Sequence, residues 1–82
     1  MNFTIYSKPG CLYCDKAKAL IDLKKHAYEE LILDVGQVKD SLKTYVTVNQ
    51  LREKVPNART VPQIMKGNEL IGGYDALEKF LN

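Results

Sequence analysis

Residues 8–18 read Lys8-Pro9-Gly10-Cys11-Leu12-Tyr13-Cys14-Asp15-Lys16-Ala17-Lys18, and the two cysteines held three apart decide how the rest is read. Upstream, Asn2 to Tyr6 is rich in β-formers and puts Phe3 and Ile5 on one face, a short strand running into a Lys8-Pro9-Gly10 turn. Downstream, Ala17, Leu20 and Ile21 recur at helical spacing over Leu12 to Lys25, leaving Lys16, Lys18 and Asp22 to solvent. Cys11 therefore falls where a strand hands over to a helix N-terminus, with Cys14 one turn further in.

The remaining pattern extends this unit. Tyr28 to Val35 carries Leu31-Ile32-Leu33, a run that suits a buried strand parallel to the first and completes a βαβ unit. Thr47-Val48-Asn49-Gln50 has the form of a capping box, and Leu51 to Val55 continues helically until Pro56. Pro62 to Met65 and Glu69 to Ile71, joined by Lys66-Gly67-Asn68, read as an antiparallel hairpin. Gly72-Gly73 ends it, and Asp75-Ala76-Leu77-Glu78 opens a last helix with Leu77, Phe80 and Leu81 inward. Gly36 to Val46 fits an extra helical turn or two, or a structured loop. The order βαβαββα predicts an α/β fold with a four-stranded mixed sheet flanked by helices, in one domain over residues 1–82.

Bulk chemistry narrows the function classes. Hydrophobic residues make 45% of the chain and charged residues 27%, which excludes a disordered or membrane-spanning composition. Twelve basic against ten acidic side chains leave +2, too little to predict nucleic-acid binding without a basic cluster. Lys24-Lys25-His26, the longest basic run, reads as the solvated end of a helix, where cations suit the dipole. The opening MNFTIYS has neither a basic n-region nor a long apolar run, so a cytoplasmic location and no membrane partner are expected. In a reducing compartment a tight cysteine pair does redox or metal chemistry more often than structural work.

Zinc needs four ligands, and the chain offers Cys11, Cys14 and His26. A structural disulfide across so short a loop gains little entropy. Reversible redox chemistry is left. At a helix N-terminus the unsatisfied N–H groups and the dipole favour thiolate, and Lys8 adds charge from the turn. Thiols so placed titrate at about 3.5 to 7.5 instead of about 8.5, which assigns Cys11 as nucleophile and the more buried Cys14 as resolving thiol.

Lys8-Pro9-Gly10-Cys11-Leu12-Tyr13-Cys14, with Arg59-Thr60-Val61-Pro62 and Ile71-Gly72-Gly73-Tyr74-Asp75 following in order, resembles the glutaredoxin family. The resemblance covers most of the chain. Gly36 to Val46 looks more like the expanded segment of phage-type members than anything in the short bacterial ones. The absence of Trp, and Leu12-Tyr13 between the cysteines, set it apart from the thioredoxin branch.

The resemblance implies a thioredoxin-like fold and a glutathione-dependent thiol–disulfide oxidoreductase that acts as a monomer on disulfide-bearing or glutathionylated proteins, ribonucleotide reductase among the family's clients. It also implies a cis Pro62 facing the cysteines, so that the Val61 backbone pairs with the cysteinyl part of glutathione like an added strand. Thr60 belongs to the same segment. Gly73, Tyr74 and Asp75 would hold the γ-glutamyl carboxylate on backbone N–H groups at a helix start. Lys8 would meet the glycyl carboxylate, with Arg59 a weaker candidate, and Tyr13 would pack against the tripeptide. Leu12 stands where many members have Pro, and Ala76 where many carry a ligand acid. The rival reading is a dimer holding a [2Fe–2S] cluster through Cys11 of each chain and two glutathiones. An inactive interaction domain keeping only the fold is a third.

Overall fold

A computed structural model describes residues 2–82. The elements in chain order are β1 (Asn2–Ser7), α1 (Leu12–Leu23), β2 (Ala27–Leu33), β3 (Thr44–Val46), α2 (Val48–Lys54), β4 (Gln63–Lys66), β5 (Glu69–Gly72) and α3 (Tyr74–Leu81). They make one five-stranded mixed sheet in the order β3-β2-β1-β4-β5. β1 runs parallel to β2 and antiparallel to β4.

Period-two alternation in β1 builds both halves of the core. Phe3 and Ile5, 2% and 0% exposed, face α1 and α3, where they meet Ala17, Ile21 and Leu77, with Ile64 of β4 beside them in the same cluster. Tyr6 points to the other face and packs with Leu33, Leu51, Val55, Ala58 and Met65 under α2. A strand covered on both faces belongs in the middle of a sheet, which is where β1 lies. It delivers the following turn to the sheet's centre.

The fold class is the one expected, with one correction: the sheet has five strands, not four. Residues 44–46 pair with β2 in parallel register, Leu31 against Thr44 and Leu33 against Val46. Neither an extra helix nor a plain loop describes the whole 36–46 stretch. Three residues are too few for a period to emerge, and what decides the matter is the open edge of β2 together with burial of Val46 against the α2-side core.

Smaller departures have local causes. α1 stops at Leu23 because the chain turns there: His26 N–H donates to Ile21 O at 3.0 Å and Lys25 N–H to Asp22 O at 2.9 Å, with Lys25 at φ 61°. This is a Schellman arrangement with lysine where glycine is commoner. Lys24 and Lys25 are exposed, while the His26 ring packs in a T-shaped contact with Phe3, centroids 5.8 Å apart. Leu77 and Leu81 face inward as expected, but Phe80 is 39% exposed, its ring perpendicular to that of Phe3 with centroids 6.1 Å apart. Among the described residues no helix is long and apolar enough to cross a membrane.

Candidate active site

Cys11 is the N-cap residue of α1. Its Sγ accepts a hydrogen bond from the Cys14 backbone N–H at 3.1 Å, a bond that Ser or Asp oxygens make at most helix starts. Gly10 precedes it at φ 70°, a left-handed conformation that lets the chain turn from β1 into the helix. Cys11 and Cys14 are joined as a disulfide. Cys11 is 9% exposed and Cys14 1%, so the first sulfur is the one a partner can reach.

Opposite Cys11 stands the segment before β4. Cys11 Sγ lies 3.8 Å from the Val61 carbonyl oxygen, and the Val61–Pro62 peptide bond is cis. A groove of about 530 Å³ opens along this segment, with Tyr13 of α1 on one wall, Thr60, Val61 and Pro62 on the floor, and Gly73 to Ala76 on the other wall. Seven of the ten residues singled out from sequence thus line one groove.

The other three lie beside it. Cys11 borders the groove through its contact with Val61, and Cys14 is buried behind it. Lys8 does not line the groove. It lines a smaller cavity of about 160 Å³ on the α2 side, which also contains Arg59 and shares Thr60 and Val61 with the groove. Gln63 has a local structural role: its amide donates to Thr60 O at 2.9 Å and pins the loop.

The start of α3 is built from backbone. Gly73 is the N-cap, no side chain caps the helix, and the first helical bond runs from Leu77 N–H to Gly73 O. The N–H groups of the first turn are therefore open to a ligand. Gly72 sits at φ 124°, and a Cβ there would come within 3.0 Å of Ala76 Cβ, so this approach of β5 to α3 is tolerable only for glycine.

Sequence reasoning missed two features. Lys16 is exposed as expected, yet it carries its ammonium 5.2 Å from the Tyr13 ring centre and 5.9 Å from that of Tyr74, two rings themselves 6.0 Å apart. The i,i+3 spacing from Tyr13 was a usable signal for half of this; the partner on α3 was not visible. Behind the helix, the buried Ser7 hydroxyl donates to Glu30 Oε2 at 2.7 Å, which also takes the Lys18 ammonium at 3.0 Å. Burial alone would push the Glu30 carboxyl up, but hydrogen bonds from Ser7 and Lys18 and the charges of Lys18 and Lys43 outweigh it and hold Glu30 below the usual carboxylate range. Burial likewise pulls Lys18 down, and the Glu30 and Asp15 contacts more than restore it. Among the described residues no three His, Cys, Asp or Glu side chains are grouped to hold a metal ion.

Comparison with known proteins gives the same picture. The glutaredoxin family model matches residues 3–71. Glutaredoxin 1 of Rickettsia bellii is 44% identical over 73 residues, 89% of this chain and 69% of that one. Glutaredoxin 3 of Escherichia coli is 36% identical over 76 residues, 93% of this chain and 81% of its own. Among solved structures, glutaredoxin 1 from Francisella tularensis superposes with a TM-score of 0.68 at 26% identity, covering 95% of this chain and 88% of that one.

Proposed function

This chain belongs to the glutaredoxin family and is a thiol–disulfide oxidoreductase, and from that premise we propose that it reduces protein disulfides or glutathione mixed disulfides in the cytoplasm with electrons from glutathione. The observation that carries the reading is the Cys11 sulfur at a helix N-cap, bonded by the Cys14 N–H and set against the backbone of Val61 at the edge of a groove. The same N–H and the same dipole that cap the helix stabilise an anion on that sulfur once the pair is reduced.

In the reduced protein the Cys11 thiolate attacks one sulfur of a substrate disulfide. A bond forms between Cys11 and that sulfur, and the other leaves as a thiolate and takes up a proton. Cys14 then loses its proton and attacks Cys11 Sγ, which releases the bound group as a thiol and forms the Cys11–Cys14 disulfide described above. A glutathione thiolate opens that disulfide at Cys11. A second displaces Cys11 from the resulting mixed disulfide, yielding oxidised glutathione and the starting thiolate. Two electrons enter the pair and two leave.

The groove suits the tripeptide in this reading. Val61 N–H and C=O pair with its cysteinyl portion, and the uncapped N–H groups at Tyr74 and Asp75 take the γ-glutamyl carboxylate. Tyr13 packs along it, Thr60 and Pro62 shape its floor and Gly73 its far wall, and Lys8 meets the glycyl carboxylate from the adjoining cavity. The experiment is a Cys14→Ser variant incubated with oxidised glutathione. Mass analysis is expected to find one glutathione on Cys11 that stays until a thiol is added. A Cys11 that alkylates readily yet never takes up glutathione would refute the mechanism.

A further inference from the structure

The cavity of about 160 Å³ on the α2 side joins two chemistries. Its charged lining is of one sign: Lys8, Arg52 and Arg59 border it, and no Asp or Glu does, since Glu53, next along α2, lies outside it. None of the three cations makes an ion pair among the described residues. Arg52 is held by its Nε, which donates to Ala58 O at 3.3 Å and leaves the rest of the guanidinium fork for an anion.

Behind these exposed cations the lining is aliphatic. Leu33 and Leu51 are buried members of the core under α2, and Val61 packs against that core. Val48, the first residue of α2, lines the same cavity but joins neither core cluster and is 41% exposed. The cavity shares Thr60 and Val61 with the groove, so the residue that follows the cysteine of a peptide paired with Val61 arrives here. Glycine brings a carboxylate to the cations and no side chain to the aliphatic surface, which leaves Val48 and its neighbours in water.

We propose that this cavity is a side-chain pocket for the residue after the cysteine, and that the site takes γ-glutamylcysteinyl tripeptides with a branched aliphatic third residue, such as valine, in preference to glutathione. The inference rests on the glutathione reading above and extends it by one side chain. The γ-glutamyl and cysteinyl parts keep their places at the start of α3 and at Val61, and the terminal carboxylate meets Lys8, with Arg52 and Arg59 beside it. The third side chain covers Leu33, Val48 and Leu51. The chemistry is unchanged: two tripeptide thiols give two electrons to the Cys11–Cys14 disulfide and their protons to Cys14 and solvent, through the same mixed disulfide at Cys11, and leave joined as the tripeptide disulfide.

The test measures kcat/KM on the full chain for three reductants, glutathione, γ-Glu-Cys-Val and γ-Glu-Cys-Thr, each driving reduction of bis(2-hydroxyethyl) disulfide. Valine and threonine differ by a methyl against a hydroxyl, so their ratio isolates the apolar contact. The wild type is expected to use the valine peptide about fivefold better than the threonine peptide or glutathione, the scale of covering part of one aliphatic side chain. Val48→Ser, at an exposed position, should bring the valine-to-threonine ratio down to about twofold. The readout is a ratio within one protein, so any loss of folded material cancels. A wild type that uses the valine peptide no better than the threonine peptide or glutathione would overturn the proposal, and so would a ratio that Val48→Ser leaves at its wild-type value. Turnover with glutathione in either case keeps the function proposed above and removes only the pocket, whereas no turnover with any of the three reductants would refute the glutathione-driven activity itself.

Discussion

Replacing Glu30 with Gln tests how much of the stability around the active-site helix comes from one charge. The carboxylate holds Ser7, which is 1% exposed, and Lys18, whose side chain is 24% exposed against 22% for Glu30. Exposed ion pairs contribute about 0.2–1 kcal/mol, and breaking a fully buried pair costs about 3–5 kcal/mol. At three-quarters burial the loss falls between these. Gln keeps the shape and one acceptor, and Asp15 stays as a second partner for Lys18 at 3.5 Å. A cost of about 2 kcal/mol follows, which for a domain this size lowers Tm by about 8–16 °C at pH 7.

The pH dependence fixes the cause. Glu30 titrates lower in the folded chain than in the unfolded one, so its contribution is present above the unfolded carboxylate range and is lost as pH falls through the folded value. Once protonated, Glu30 is close to an isostere of Gln, and the two melting curves should converge in acid. Lys18 is raised in the folded chain, so its share persists at neutral pH and fades only as the solution becomes strongly alkaline. Thermal melts by circular dichroism from pH 3 to pH 8 read the Glu30 effect, and across that range the Lys18 share stays constant. A Tm gap that is absent at neutral pH, or is the same at pH 3, would refute the account.

Thr47→Ala should cost about 1 kcal/mol, since Thr47 Oγ1 accepts the Gln50 N–H at 3.1 Å and the Gln50 side chain accepts the Thr47 N–H at 2.8 Å; urea titration measures it, and Thr47→Ser should restore most of it. Gly72→Ala should lower the urea midpoint by the equivalent of about 1–3 kcal/mol, because the residue has φ 124° and its new methyl would press on Ala76. Lys16→Met removes a cation shared by Tyr13 and Tyr74 across the groove and should raise KM for glutathione about two- to fivefold with kcat unchanged, a split that steady-state kinetics resolves.

What the sequence made legible is what short-range physics controls. The helical period after Cys11 and the box at Thr47 announce structures held by bonds within a few residues, the alternation in β1 announces a strand through its burial pattern alone, and each forms as expected. The groove residues were reached through three spaced motifs, and the fold brings seven of them together. Missing were features whose partners come from distant elements. Strand β3 exists because β2 had an open edge, the Lys16 contact needs α3 beside α1, and Glu30 meets Ser7 only once β1 and β2 register with Ile5 opposite Glu30.

Those distant contacts explain why one short motif can be both exposed and precise. Cys11 lies at the end of a strand buried on both faces, so the turn that carries it starts from the most constrained part of the sheet. On one side Val61 is fixed by Gln63 holding Thr60, and on the other Ser7 is fixed by Glu30 and Lys18. The sulfur is bracketed by two polar clamps that never touch it. Loosening either should therefore shift the reactivity of Cys11 without altering its own hydrogen bond, whereas Thr47→Ala, at the N-cap of α2 and in neither clamp, should change stability and leave the alkylation rate of the reduced Cys11 thiol where it was.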